Sequence, residues 1–241
     1  MDENETTYDP SRYDRPSVTA DIVIFTLRAK QLQVLLIQRK GWPFAGHWAI
    51  PGGFVQMNES LEDAARRELQ EETGVQSAYL EQLHAFGDPG RDPRTRVITV
   101  AYTALVSSDR LTLRADTDAA DADWFPIDAL PVPLAFDHDR ILSCALRALR
   151  RRLEDSNIAR ELLPARFTLT QLQEVYEALL GRPLDKRNFR KWILTLGLVA
   201  PTDQEARGHH RPALLYEFAP PVESGDTSRF LWTRRTRRKE Q

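Results

Sequence analysis

The most constraining feature of the sequence is a run of 23 residues, Gly53 to Val75, in which glycines, carboxylates and an arginine stand at fixed spacing. Residues 60–73 contain neither glycine nor proline, and a glycine follows them, which predicts a helix that ends there. On that helix Glu68 and Glu72 lie one turn apart on the same face, with Glu71 adjoining them. Crowded carboxylates repel one another unless a hard cation such as Mg²⁺ lies between them. The spacing therefore favours a metal site over the plainer alternative, a solvated acidic helix face.

The same run matches the pattern G-x5-E-x7-R-E-U-x-E-E-x-G-U, with U aliphatic, at every fixed position. The chain here resembles the Nudix hydrolase family, and the order of its predicted elements is compatible with that fold. The resemblance implies an α/β (α+β) Nudix domain that uses Mg²⁺ or Mn²⁺ to cleave a diphosphate linked to a nucleoside. It assigns catalysis to Arg67, Glu68, Glu71 and Glu72, and metal binding to Gly52, Glu68 and Glu72. Arg67 lies four residues before Glu71, so these two side chains can also pair.

Hydrophobic patterning predicts the other elements of this first unit. Short apolar runs predict strands, and one amphipathic run with apolar residues at helical spacing predicts a second helix. The predicted strands are 22–27, 32–37, 97–106 and 123–126, the second helix is 139–153, and a turn-rich segment spans 41–53.

A loop before the strand at 97–106 carries three arginines, whose guanidinium groups suit phosphate or carboxylate contacts. Ordinary surface charge is the alternative for each of them. This loop, the strand after it and residues 134–138 resemble the ADP-ribose branch of the Nudix family. The ligand-binding candidates are Arg39, Arg91, Arg94, Arg96 and Phe136. Trp42, Phe44, His47 and Trp48 are weaker candidates for stacking on a base, since aromatic residues near a sheet more often pack against it.

The charge is divided unevenly along the chain. Residues 1–165 hold 19 basic and 26 acidic side chains, a net charge of −7, whereas residues 166–241 hold 14 and 9, a net charge of +5. Such asymmetry indicates two units with different partners, the basic one facing a polyanion, although chance scatter of charge remains the alternative. We therefore expect a domain at 1–155 that binds an effector or substrate, and a second domain at 156–241.

The second domain has the element order of a winged helix-turn-helix. A capping-box match at 170–173 opens a helix with buried positions at Leu172, Val175, Tyr176 and Leu179. A second helix, capped by Asp185, runs to about residue 196. Apolar runs at 198–200 and 214–218 can then pair as a hairpin.

The second helix is basic on one side and apolar on the other, as a DNA recognition helix is. A small helical domain with a solvated basic face is the alternative. The wing of the hairpin would touch phosphates or the minor groove, and residues 233–241 form a basic tail. The DNA-binding candidates are Lys186, Arg187, Asn188, Arg190, Lys191, His209, His210 and Arg211. A metal pair formed by His209 and His210 is a weaker interpretation, because no further ligands are spaced nearby.

Residues 167–173 and 184–191 resemble the C-terminal signature of the NrtR family, regulators of NAD metabolism, and the likeness extends from about Pro16 to Phe218. It implies a homodimeric repressor that binds a palindromic double-stranded DNA operator and senses ADP-ribose or a related NAD-derived nucleotide. Regulators of this kind often carry an eroded Nudix box, whereas this box is intact. A Mg²⁺-dependent ADP-ribose pyrophosphatase is therefore an alternative, and a Nudix-related regulator of sugar catabolism is another.

The composition favours a cytoplasmic protein. The chain has one cysteine, Cys144, which fits a reducing compartment. Its apolar runs fall short of the ~18–20 residues that span a bilayer, so no membrane partner is expected. The polar, acidic start argues against a secretory signal.

Overall fold

The computed structural model describes residues 9–75, 78–111, 119–155, 157–206 and 212–219. In this part of the chain a seven-stranded sheet and two helices form the first unit, and two helices with a two-stranded hairpin form the second. The strands of the first sheet are Ser17–Arg28 (β1), Gln31–Arg39 (β2), Trp48–Ala49 (β3), Gly52–Phe54 (β4), Tyr79–Phe86 (β5), Val97–Leu105 (β6) and Ala119–Pro126 (β7). The helices are Leu61–Thr73 (α1), His138–Asp155 (α2), Leu169–Leu180 (α3) and Lys186–Thr195 (α4), and the hairpin strands are Val199–Ala206 (β8) and Ala213–Phe218 (β9).

Strand β1 lies at the centre of the sheet. It pairs antiparallel with β2 and β4 and parallel with β6, while β5 lies beyond β6, and β3 and β7 lie beside β2. Both faces of β1 are covered, which explains its continuous apolar run. Ile22 and Ile24 face α1, whereas Val23 and Phe25 face α2, as the two-residue period of a strand requires.

Helix α1 carries the acidic box against one face of the sheet. Ser60 caps its first turn by accepting the Asp63 amide hydrogen, and Gly74 ends it in the left-handed conformation at φ 71°. Ala64, Ala65 and Leu69 are buried against the sheet. Glu68 and Glu72 are buried on this same face, so packing of the apolar residues fixes where the carboxylates project.

The second unit shares its core with the first. Apolar side chains of α2, of the 3₁₀ turn Ile158–Leu162 and of α3 and α4 form one cluster with β1 and β2. Within it Tyr176 of α3 packs on Phe189 and Trp192 of α4, with ring centroids 5.3 and 5.5 Å apart. The boundary between the units therefore crosses a continuous core.

The structure confirms most of the predicted elements and corrects three. Strand β5 was not predicted. The glycines at 52 and 53, predicted to close a turn, lie in strand β4 because they pair with β1. The capping box of α3 stands two residues earlier than predicted, with Thr168 as the cap and Gln171 as its partner, because the helix begins at Leu169.

None of the helices in the described part of the chain combines the length and apolar character needed to cross a membrane.

Candidate functional site

A cavity of about 710 Å³ opens where β1, β2 and β4 meet α1 and the loop between β5 and β6. Its volume is typical of sites that enclose a nucleotide-sized ligand. The structure brings nine of the residues singled out from the sequence to its lining. They are Arg39, Gly52, Arg67, Glu68, Glu71, Glu72, Arg91, Arg94 and Phe136.

Arg67 joins three carboxylates at one wall of the cavity. Its Nη2 lies 2.9 Å from Glu59 Oε1, and its Nη1 lies 2.7 Å from Glu68 Oε1 and 3.3 Å from Glu71 Oε2. The predicted pairing of Arg67 with Glu71 is confirmed. Hydrogen bonds from Arg67 hold the pKa of Glu59 below its ordinary value, whereas burial raises the pKa of Glu68.

The two glycines of β4 allow the strand to approach these groups. A β-carbon at Gly52 would lie 2.5 Å from Asp21 Oδ1, and one at Gly53 would overlap the Glu68 carboxylate. A side chain at Gly52 would therefore displace β1, and one at Gly53 would displace the Glu68 carboxylate.

The donor atoms of this wall suit a hard cation. Glu68, Glu71 and Glu72 offer carboxylate oxygens to the same cavity, and Gly52 lies beside them in β4. Oxygen ligands are those that Mg²⁺ prefers, and Mg²⁺ often keeps several waters with only one or two carboxylates. In the described residues, no three Asp, Glu, His or Cys side chains are gathered as a ready metal cluster. Because the guanidinium of Arg67 contacts Glu59, Glu68 and Glu71, these carboxylates already have a cation between them.

The opposite wall of the cavity combines arginine and an aromatic ring. The guanidinium carbons of Arg39 and Arg94 lie 4.8 and 5.7 Å from the centroid of the Phe136 ring. Arg94 is held by Asp92, with Nη2 2.6 Å from Oδ2, and Arg39 donates from Nε to the Pro43 carbonyl at 2.8 Å. Burial lowers the pKa of Arg39, which stays charged at neutral pH.

Arg91 lies in the floor of the cavity, in a buried cluster with Asp21, Asp137 and His138. Its Nη2 is 2.7 Å from Asp137 Oδ1 and 3.6 Å from Asp21 Oδ2, and its side chain is 4% exposed. Burial raises the pKa of Asp21 to about 6 and lowers the pKa of His138 to about 3. His138 is thus neutral, and its Nδ1 accepts the Ile50 amide hydrogen at 2.9 Å, which places its proton on Nε2.

Sequence reasoning missed Asp21, Asp92, Asp137 and His138. Asp21 had a usable signal, because it is a charged residue directly before an apolar run and lies within strand β1. Asp137 and His138 belong to the segment 134–138, which resembles the ADP-ribose branch but contributes only Phe136 to the predicted site residues.

The remaining ligand-binding candidates lie elsewhere. Arg96 lies outside the cavity lining, with an exposed side chain and a backbone carbonyl that accepts the Ser17 amide hydrogen at 3.0 Å. Phe44 packs on Phe136 and Trp48 packs on Phe125, with ring centroids 4.8 and 4.7 Å apart. Packing is therefore the role that the structure shows for these two aromatic residues.

The predicted recognition helix, α4, presents its basic residues to solvent. Asp185 caps the helix by accepting the Asn188 amide hydrogen at 2.8 Å, while Phe189 and Ile193 are buried. The exposed residues include Lys186, Arg187, Asn188, Arg190 and Lys191. The other DNA-binding candidates, His209, His210 and Arg211, and the basic tail at 233–241 lie outside the described residues.

Comparison with known proteins relates both units to established domains. A family model for the NUDIX domain matches residues 16–144, and one for the NrtR DNA-binding winged helix domain matches residues 159–218. The "ADPR responsive transcriptional repressor NtrR" of Acinetobacter baylyi is 40% identical over 215 residues, which cover 88% of this chain and 86% of that relative. The chain belongs to the NrtR family.

Solved structures of NrtR agree with this assignment. Shewanella oneidensis NrtR complexed with a 27mer DNA has a TM-score of 0.73 and 38% identity, over 88% of this chain and 95% of that one. The NUDIX domain of the same NrtR, complexed with ADP ribose, has a TM-score of 0.54 and 41% identity, over 62% of this chain and 99% of that one. The predicted Nudix fold followed by a winged helix domain is thus confirmed, and Nudix proteins generally use divalent metal cations.

Proposed function

We propose that this NrtR-family chain is a transcriptional repressor of NAD metabolism genes that releases its DNA operator when its Nudix cavity binds ADP-ribose or a related NAD-derived nucleotide. The observation that carries this proposal is the presence, in one chain, of a 710 Å³ cavity lined by arginines and carboxylates and of a capped helix with an exposed basic face.

Helix α4 supplies the DNA-binding surface. Lys186, Arg187 and Asn188 lie in its first turn, the part of a recognition helix that meets base edges. Arg190 and Lys191, one turn later, would contact phosphates. The hairpin of β8 and β9 would serve as the wing, with His209, His210 and Arg211 reaching the backbone or minor groove. A palindromic operator would require two such helices, and therefore a homodimer.

The Nudix cavity supplies the effector site. Arg39 and Arg94, whose guanidinium groups lie close to the Phe136 ring, would bind anionic groups beside an aromatic surface that stacks on a base. Arg91 would contact a phosphate at the cavity floor, and Arg96 would contact the ligand outside the lining. The effector domain corresponds to residues 1–155 and the DNA-binding domain to residues 156–241.

The intact box supports a second function, hydrolysis of ADP-ribose. Gly52, Glu68 and Glu72 would hold Mg²⁺ or Mn²⁺, which when bound neutralises a diphosphate and lowers the pKa of an attacking water. Arg67 positions Glu68 and Glu71 through the contacts at 2.7 and 3.3 Å, and Glu71 or Glu68 would accept a proton from that water. Hydrolysis of ADP-ribose by the chain itself would remove the effector and restore DNA binding.

The test of the repressor function is binding of the full chain to DNA from the promoter region next to its own gene. Binding is measured with and without ADP-ribose, in Ca²⁺ or without metal, so that hydrolysis is suppressed. Specific binding that ADP-ribose releases is expected. Absence of specific binding, or binding that a sugar metabolite and not ADP-ribose releases, would overturn the proposal; the second result would indicate a regulator of sugar catabolism.

The test of the hydrolytic function is Mg²⁺-dependent release of AMP from ADP-ribose. Glu72→Gln should abolish turnover and leave DNA binding intact. Unchanged turnover would contradict the assignment of Glu72. Arg187→Ala with Arg190→Ala should do the reverse, abolishing DNA binding and leaving turnover intact.

A further inference from the structure

Helix α2 connects the cavity to the DNA-binding unit. It has 18 residues, so it spans about 27 Å at 1.5 Å per residue. His138, its first residue, lines the cavity, and Arg150, in its last third, contacts α3. A single helix therefore contacts both the cavity and the unit that carries the recognition helix.

The start of α2 is tied to two walls of the cavity. Asp137, the residue before the helix, receives a hydrogen bond from Arg91 Nη2 at 2.7 Å and further ones from Nε at 3.2 Å. His138 accepts the amide hydrogen of Ile50, in the segment that leads into β4. A change at the cavity floor thus acts directly on the first turn of α2.

The far part of α2 is tied to the end of α3. Arg150 donates from Nε to the Leu179 carbonyl at 2.9 Å, one of the last carbonyls of that helix. Its guanidinium also lies beside Gly181, which ends α3. Helix α3 packs in turn on α4 through Tyr176, so the orientation of the recognition helix depends on where α2 lies.

We propose that α2 transmits ligand binding to the DNA-binding unit and that the Arg91–Asp137 pair is the joint that the ligand changes. The proposal rests on the effector function proposed above. An anionic diphosphate at the cavity floor competes with Asp137 for the Arg91 guanidinium and repels the carboxylates of Asp137 and Asp21. Loss of the pair frees the start of α2 from the floor, and Arg150 carries the displacement to α3.

The experiment measures two quantities for the full chain, the affinity for ADP-ribose by calorimetry and the affinity for operator DNA with and without saturating ADP-ribose. The ratio of the two DNA affinities is the coupling factor, which is about 5–150-fold in typical allosteric proteins. Asp137→Asn weakens the joint, and Arg150→Gln breaks the contact with α3. Asp139→Asn, in the exposed first turn of α2, is the matched control.

Asp137→Asn and Arg150→Gln should each reduce the coupling factor at least threefold, while Asp139→Asn keeps the wild-type factor. Arg150→Gln should also keep the wild-type affinity for ADP-ribose, because Arg150 lies outside the cavity lining. A smaller coupling factor with unchanged ligand affinity would not be explained by a local effect on the ligand site. If both variants bind DNA and ADP-ribose and keep the wild-type coupling factor, α2 is not the transmitting element. If the wild-type chain itself shows no coupling, the effector function fails and this inference fails with it.

Discussion

The carboxylate of Glu68 occupies the space that a β-carbon at Gly53 would fill. Because Glu68 also accepts a hydrogen bond from Arg67 at 2.7 Å, displacing it disturbs the acidic wall of the cavity. We expect Gly53→Ala to weaken Mg²⁺-dependent binding of ADP-ribose about tenfold or more, equivalent to roughly 1.4 kcal/mol. Calorimetry measures this effect, with Ca²⁺ in place of Mg²⁺ so that hydrolysis is suppressed. Gly87→Ala, outside the cavity lining, where a β-carbon would make an ordinary contact with Ile98 at 3.5 Å, is the control, and equal affinities for the two variants would contradict the prediction.

The exposed basic residues of α4 should set the salt dependence of DNA binding. Arg190→Ala and Lys191→Ala each remove one cation that is proposed to contact a phosphate. The magnitude of the slope of log affinity against log salt should therefore fall by about 0.9 for each contact that is lost. Fluorescence anisotropy across a salt series measures the slope. Arg66→Ala removes an exposed arginine of α1 that pairs with Glu62, and it should leave the slope unchanged. A slope that falls equally in Arg66→Ala would mean that net charge, and not α4, determines it.

The hydroxyl of Tyr176 is buried and has no hydrogen-bond partner in the described part of the chain. Burial raises the pKa of this hydroxyl. Tyr176→Phe removes an unsatisfied polar group and keeps the ring contacts with Phe189 and Trp192, so stability should be equal or higher by up to about 1–3 kcal/mol. Phe189→Ala, in contrast, leaves a cavity in the same core and should lower the free energy of unfolding by about 3–5 kcal/mol. Urea unfolding followed by tryptophan fluorescence compares the two variants. A loss of stability above about 1 kcal/mol in Tyr176→Phe would indicate that the Tyr176 hydroxyl is hydrogen-bonded.

The buried neutral His138 should make the protein less stable in acid. In the unfolded chain its pKa is about 6.5, whereas burial lowers the folded value to about 3. Between these values the unfolded state binds the additional proton, so stability falls as pH drops from about 6.5 toward 3. From pH 7 to pH 5 this group should remove about 2 kcal/mol of stability. His138→Asn keeps an acceptor for the Ile50 amide and should lack this loss in urea unfolding at the two pH values.

Asp21 should have the opposite dependence. Burial raises its pKa in the folded state to about 6, so the folded protein binds the proton more tightly than the unfolded chain. The contribution of this group therefore falls as pH rises from about 4 to about 6. Asp21→Asn should gain about 2 kcal/mol relative to wild type between pH 4 and pH 7. Urea unfolding at pH 4 and pH 7 measures the difference in stability between Asp21→Asn and wild type. A difference that is equal at the two pH values would contradict the shifted pKa.

The sequence predicted the elements whose determinants are local. Gly74 and Ser60 delimit α1, and the spacing of Leu172, Tyr176 and their neighbours sets the buried face of α3. Strand β5 was not predicted because its apolar and polar residues alternate only weakly, and its side chains are partly exposed along much of its length. The strand character of Gly52 and Gly53 was missed because it comes from pairing with β1, more than thirty residues away in the chain.

The site was predictable as a set of side chains but not as a set of contacts. The spacing of the box placed Glu68, Glu71 and Glu72 together, yet it did not show that Arg67 would gather Glu59 with them. Arg91 was predicted as a ligand contact, and its pairing with Asp137 depends on a segment 46 residues away. Such long-range contacts follow from the order of the strands, which local patterns do not specify.

The arrangement of Arg67 among Glu59, Glu68 and Glu71 gives the acidic box a counterion of its own. Repulsion among these carboxylates would otherwise oppose folding. Arg67 offsets it, because its guanidinium is part of the chain and stays protonated at all physiological pH values. Folding of the box therefore does not require a metal ion: a chelator should leave the chain folded and remove only the stability that a bound cation adds. We therefore expect such a regulator to bind its operator in a metal-poor cell, because scarcity of magnesium or manganese would suppress the proposed hydrolysis without unfolding the chain.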